Sequence, residues 1–225
     1  MLNNKDLEYI SGSYKFWNKL NEKQKESFVK STEKMHYKKG DRIYGGESDC
    51  VGVLLIKEGN FRVYLLSEEG KEVTLYREEK GDICMLSASC MLEQITFDVH
   101  IDAVTDCEVY KTSVPVYDNL CKENVYADNF TNKIIIDRFS DVMWAMQQIL
   151  FMSFDKRLAI FLYEETIRNK SNKIRLTHDQ IAKYVASARE VVTRMLNYFV
   201  DEGIVKLSRG VVEVIDRDKL KEITY

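Results

Sequence analysis

The chain has 225 residues, a formal net charge of −3 and a single proline, with 45% hydrophobic and 31% charged residues. That is an ordinary soluble globular balance, enough for one large or two modest domains that each bury a core. No apolar run reaches the roughly 18 residues of a membrane span, and Met1 to Asp6 lacks the basic-then-apolar order of a signal peptide; the expected location is the cytoplasm, with no membrane partner.

Phe16 to Met35 reads as one or two helices. Seven of the ten glycines fall between Gly40 and Gly81, and none lies between Gly81 and Gly203. Glycine marks tight turns because it tolerates positive φ, so the first stretch reads as turn-rich β and the second as helical. Val51 to Ile56 is a short apolar run, Phe61 to Leu65 alternates, and Glu69-Gly70-Lys71 is a hairpin-turn signal. Val73 to Tyr76, His100 to Val104 and Cys107 to Tyr110 continue the pattern. Short strands about ten residues apart point to a closed roll or barrel.

The cysteines are Cys50, Cys84, Cys90, Cys107 and Cys121. An odd count without a Cys-x-x-Cys pair argues against a disulfide framework, a zinc ribbon or a ferredoxin-like cluster. The three histidines form no His-x-His cluster, which disfavours a metal enzyme built on the roll. Neither a catalytic residue nor a metal ligand is expected.

After Lys122 the period changes. Ile135, Phe139, Val142, Met146 and Ile149 form a seam with the 3.5-residue spacing that lets two helices pack along their length. A dimer helix is the reading, against an ordinary amphipathic helix packed on its own domain. Ser153 or Asp155 can cap a further helix to about Arg168, and residues 169–173 form a polar loop. The expected division is 1–122, a β-roll with N-terminal helices; 123–152, a dimerisation helix; and 153–225, a DNA-reading domain.

Thr177-His178-Asp179-Gln180 fits a capping box, and Ser187-Ala188-Arg189-Glu190 fits a second one. The first opens a helix with Ile181, Tyr184 and Val185 inside. The second opens one whose apolar face is Val192, Met195, Leu196 and Phe199. Gly203 is a stop. Two short capped helices joined by a tight turn are a helix-turn-helix. Ile204 to Leu207 and Val211 to Ile215 flank Ser208-Arg209-Gly210 as a wing. Arg189, Glu190, Thr193, Arg194 and Asn197 share the outward face of the second helix, the surface that enters a major groove. Between Lys170 and Gly210 eight positive residues stand against four negative ones, a local field suited to phosphate.

In these features the chain resembles the cyclic-AMP receptor and fumarate-nitrate regulator family of bacterial transcription regulators. Ser187-Ala188-Arg189-Glu190-Val191-Val192-Thr193-Arg194-Met195-Leu196 is similar to the recognition-helix signature of the receptor branch. Gly40, Gly46, Gly59, Gly70 and Gly81 match the roll-turn glycines. The resemblance implies an α+β fold: a cyclic-nucleotide-binding-like roll, a long dimer helix and a C-terminal winged helix-turn-helix. It implies a homodimer on palindromic double-stranded DNA with TGTGA-like half-sites, and RNA polymerase as a partner. Arg189, Glu190 and Arg194 would read bases with Thr193 beside them. His178 would contact phosphate and Ser187 belongs to the same DNA-binding set, while Arg209, by its place at the wing tip, is set to touch phosphate.

The departures concern the signal. Where the receptor branch holds cyclic AMP with a Gly-Glu pair and a downstream Arg-Ser, this chain reads Gly81-Asp82-Ile83-Cys84-Met85-Leu86-Ser87, and no arginine lies between Arg77 and Arg138. Cyclic AMP is therefore not expected. An iron–sulfur cluster is not expected either, since no cysteine precedes Cys50. Cys84 and Cys90 flank the pocket region as redox or effector candidates, against the ordinary reading of buried small hydrophobes. The effector itself stays unknown. The competing function is a regulatory subunit that senses a small ligand and controls a protein partner without DNA; the capping box and wing favour the DNA reader.

Overall fold

The computed structural model describes residues 2–45, 50–91 and 99–224, with side chains for all of these except 89–91. Backbone contacts gather the chain into two units, Met1–Glu68 with Leu75–Val142, and Glu69–Thr74 with Met143–Tyr225.

The first unit opens with helices α1 (Asn4–Ser13) and α2 (Glu22–Lys30), each started by an asparagine capping box. The helical stretch expected to reach Met35 stops at Lys30, because Thr32–Tyr37 is strand β1. The hydroxyls of Ser31 and Thr32 donate back to the Phe28 carbonyl at 2.9 and 2.7 Å, and such local bonds end helices.

The strands that follow are β2 (Arg42–Gly45), β3 (Val53–Glu58), β4 (Phe61–Leu66), β5 (Glu72–Glu78), β6 (Ile83–Cys84), β7 (His100–Ala103) and β8 (Cys107–Thr112). They form two four-stranded sheets, in the orders β1-β8-β3-β6 and β2-β7-β4-β5. Alternation sends Leu54, Ile56 and Val109 from one sheet and Phe61, Val63 and Ile101 from the other into one buried cluster. The opposite face of the first sheet gives Val53, Leu55 and Tyr110 to a second cluster with Tyr14, Phe28 and Tyr117. The β3–β4 turn requires glycine. Gly59 has φ +93°, and a Cβ there would lie 2.5 Å from both the Asp106 carbonyl and Cys107 Sγ. Gly46 lies outside the described residues. Cys50 is disulfide-bonded; an odd cysteine count disfavours a framework but does not prevent one pair.

Helix α3 (Val114–Glu123) leads into α4 (Val125–Phe151), a single helix of 27 residues. It carries two apolar faces. Phe130, Ile134 and Val142 pack against the clusters of the first unit. Ile136, Phe139, Met143, Met146 and Leu150 are exposed and repeat at three- and four-residue steps, which makes them one stripe. The seam read from the sequence thus straddles both faces. Phe139 and Met146 lie on the exposed stripe and Ile149 is exposed beside it, whereas Ile135 is half-buried and Val142 belongs to the roll core.

The second unit contains α5 (Phe154–Arg168), β9 (Lys173–Ile174), α6 (His178–Tyr184), α7 (Arg189–Asp201), β10 (Val205–Ser208), β11 (Val211–Val214) and α8 (Arg217–Thr224). Its sheet runs β10-β11-β9. Leu158 and Leu162 of α5, Ile181, Val192, Leu196 and Phe199 of the two short helices, and Val212 and Leu220 fill one core. Among the described residues no helix is long and apolar enough to cross a membrane.

Candidate nucleic-acid interface

The reader is built on its own core. Thr177 caps α6 as its sequence predicts: its hydroxyl accepts from the Gln180 amide at 3.2 Å, and its own amide donates to Gln180 Oε1 at 2.9 Å. Ile181 and Val185 are buried, and Tyr184 stacks on Phe161 with ring centroids 5.3 Å apart. Along α7, Val192, Leu196 and Phe199 have 0% exposure, which fixes the helix's rotation and turns the opposite stripe outward.

The second capping box does not form. Ala188, not Ser187, is the N-cap of α7, and no side chain bonds there. The cause lies in the turn. Ala186 takes φ +49°, and the Ser187 amide donates to the Ala182 carbonyl at 3.0 Å, so Ser187 is spent closing the turn one residue too early to cap. The left-handed conformation costs an L-residue about 1–2 kcal/mol, part of which is offset in glycine by a looser unfolded chain. Ala186→Gly is expected to raise unfolding stability by about 0.5–1 kcal/mol, read as a higher urea midpoint at unchanged m-value.

The outward stripe has the composition read from the sequence. Arg189, Glu190, Arg194 and Asn197 are exposed at the start and middle of α7. Thr193 is half-buried and occupied: its Oγ1 donates to the Arg189 carbonyl at 2.9 Å and lies 2.9 Å from His178 Nδ1. It therefore positions the imidazole and does not offer a free hydroxyl to a base. Burial, and then the neighbouring Arg189 charge, hold the His178 pKa below its usual value, so the ring is neutral at pH 7. With the Thr193 hydrogen given to the Arg189 carbonyl, Nδ1–H is the donor to Thr193 and Nε2 of the neutral ring is an acceptor, so the ring donates to an anion only once it is protonated.

These residues surround a cleft of about 340 Å³ lined by Thr177, His178, Asp179, Arg189, Ser208, Gly210 and neighbouring apolar side chains. The starts of both helices and the wing converge on it. The wing is a two-residue hairpin in which Arg209 is exposed and Gly210 takes φ +72°. Asp179 went unread as a lining residue; its place at the second position of a short helix is the signal that would have found it. Of the effector candidates, Cys84 is fully buried, and burial with the adjacent Glu78 pushes its thiol well above the ordinary value. The protonated thiol is the unreactive form. The Cys90 side chain lies outside the described residues.

Two short helices joined by a tight turn and followed by a wing, after a two-sheet roll and a long helix, define a winged helix-turn-helix DNA-binding protein. Residues 156–223 match the model of the Crp-like helix-turn-helix domain, and residues 34–124 that of the cyclic nucleotide-binding domain. A crystal structure from Eubacterium rectale, described as a regulator of the crp/fnr family, is 43% identical and superposes with a TM-score of 0.91 over 95% of this chain and 99% of that one. The Cyclic AMP receptor protein of Thermus thermophilus is 22% identical over 84% of this chain and 87% of its own. The Fumarate and nitrate reduction regulatory protein of Yersinia pestis is 20% identical over 82% of this chain and 76% of its own. The chain belongs to the Crp/Fnr family of helix-turn-helix transcription regulators.

Proposed function

We propose that this regulator acts as a homodimer on palindromic DNA with TGTGA-like half-sites, each α7 entering a major groove. The observation that carries the reading is the stripe Arg189, Glu190 and Arg194, exposed on a helix whose other face is locked into the core. Arginine pairs bidentately with guanine and a carboxylate accepts from the cytosine amino group, which matches the guanines and paired cytosines of such a half-site. His178 at the cleft and Arg209 at the wing tip contact the backbone, with Ser187 beside them at the turn before α7. The exposed stripe of α4, in the region 123–152, meets the same stripe of a second copy. RNA polymerase is the protein partner. The direct test is a binding assay on that palindrome with Arg189→Ala and Glu190→Ala; unchanged affinity and base preference would remove both residues from the reading.

A cyclic nucleotide is the ligand the family's roll implies, and the residues present do not fit one. Gly81 to His100 contains no lysine or arginine. Ser87, which lies in the matching segment, already donates to the Gly52 and Cys84 carbonyls at 2.7 and 3.0 Å. The buried acidic Glu78 faces the same segment, so a cyclic phosphate would meet a carboxyl group in place of a cation. The roll answers to a signal of other chemistry.

A further inference from the structure

Glu78 closes β5 with 0% exposure; no donor meets its carboxyl oxygens with good hydrogen-bond geometry, and the Cys84 thiol lies close enough to act on its titration. Arg138 of α4 brings Nε to 3.4 Å from Glu78 Oε1, a charge contact without a hydrogen bond, since that Nε is also unpartnered. The same guanidinium contacts Asp141 at 2.8 Å and Asp82 at 3.5 Å and lies over the Tyr76 ring at 5.1 Å. The groups that face Glu78 are Tyr76 from its own strand, Cys84 from β6, Asp82 from the turn before it, and Arg138 and Asp141 from α4. One arginine thus serves three carboxyl groups, of which Glu78 is the fully buried one.

We infer that Glu78, buried beside Arg138, acts as a proton-operated latch, which holds the roll-side half of α4 on β5 while Glu78 keeps its proton and loosens it when Glu78 ionises. The step is a simple titration: the neutral acid gives one proton to solvent and becomes a buried carboxylate, which Arg138, shared with Asp82 and Asp141, does not fully compensate. Burial pushes the Glu78 pKa up to about 7 against the pull of the Cys84 thiol and then of Arg138, with Asp82 and Asp141 adding to the rise. The latch therefore switches near neutral pH. Because burial under α4 raises the Glu78 pKa despite Arg138, ionisation must in turn favour the arrangement in which α4 has moved off and the carboxylate meets water. The fold as a whole responds with the same sign. Between the ordinary 4.5 and the folded value of about 7 the native state holds a proton that the unfolded chain has released, so stability falls as pH rises through that window.

The latch does not depend on DNA reading, and its test uses no DNA. Hydrogen exchange of the full-length chain is followed for peptides covering 134–142 between about pH 6 and 8, corrected for base catalysis. Protection is expected to fall several-fold with a midpoint near pH 7, and to stay high without that midpoint in Glu78→Gln, which mimics the protonated acid. A flat wild-type profile, or a midpoint that survives in Glu78→Gln, overturns the proposal. If Glu78→Gln does not fold, infrared spectra of the wild type decide. A buried carboxylic acid band that disappears near pH 7 supports the latch, and the absence of any such band above about pH 5.5, where ordinary carboxyls are ionised, refutes it.

Discussion

Arg189→Ala is expected to weaken binding to a TGTGA-like palindrome by about 5- to 150-fold per half-site, the range for losing one bidentate arginine–guanine contact of about 1–3 kcal/mol. The fold should be untouched, because Arg189 is exposed on α7 and the core runs through Val192, Leu196 and Phe199. The loss should fall on specific sites and leave binding to scrambled DNA much less affected. Glu190→Ala is expected to act differently. A carboxylate near phosphates costs affinity unless it reads a base, so its removal should relax discrimination at the cytosine it accepts from while raising non-specific binding. Arg209 at the wing tip supplies the contrast. Arg209→Ala should weaken all sequences alike and lower the salt dependence by about one unit per subunit. Anisotropy titrations on palindromes with single base changes, at two salt concentrations, separate these three behaviours.

The second large effect belongs to α4. Phe139 is 64% exposed and stands in the middle of the stripe from Ile136 to Leu150. Burying such an aromatic against a second copy is worth about 1.5–3 kcal/mol per side. Phe139→Asp removes that gain twice in a symmetric dimer and sets two carboxylates near the axis. Dimerisation is expected to weaken by at least about 100-fold, seen as a monomer in sedimentation velocity at micromolar concentration. Val142→Asp should do something else. Val142 packs against the roll, so the expected result is lost stability of the first unit. If Val142→Asp gave a stable, folded monomer and Phe139→Asp a normal dimer, the stripe would be assigned to the wrong face.

This contrast shows where periodicity ran out. A helix apolar on two sides has no single phase, so a 3.5-residue seam fitted through Ile135, Phe139 and Val142 mixed residues that face the roll with residues that face away. Strand β1 was missed for a related reason: the helix before it ends without glycine or proline, and only hydroxyl bonds to Phe28 mark the stop. The reader was more legible. The capping box at Thr177 and the i, i+3, i+4, i+7 pattern on α7 fix both helices and their inner faces locally, with no need of distant partners. What the sequence could not show there was the left-handed Ala186, which moves the start of α7 one residue and gives Ser187 to the turn. Nor could it show that the Thr193 hydroxyl is taken by His178. The Glu78 site was invisible for the strongest reason. A glutamate at the end of a strand reads as exposed, and only the approach of α4, some sixty residues later in the chain, makes it a buried acid.

The central claim is that α7 reads sequence through Arg189, Glu190 and Arg194. It is tested most directly by the ratio of affinities for a TGTGA-like palindrome and a scrambled duplex, measured at one physiological salt concentration for the wild type and for an Arg189→Ala, Arg194→Ala double variant. A specific reader shows a ratio on the order of 1,000 or more, and the double variant should reduce it to within about tenfold of unity while keeping its salt-dependent binding to any DNA. A wild-type ratio near one, or a high ratio that the double variant retains, would contradict the account.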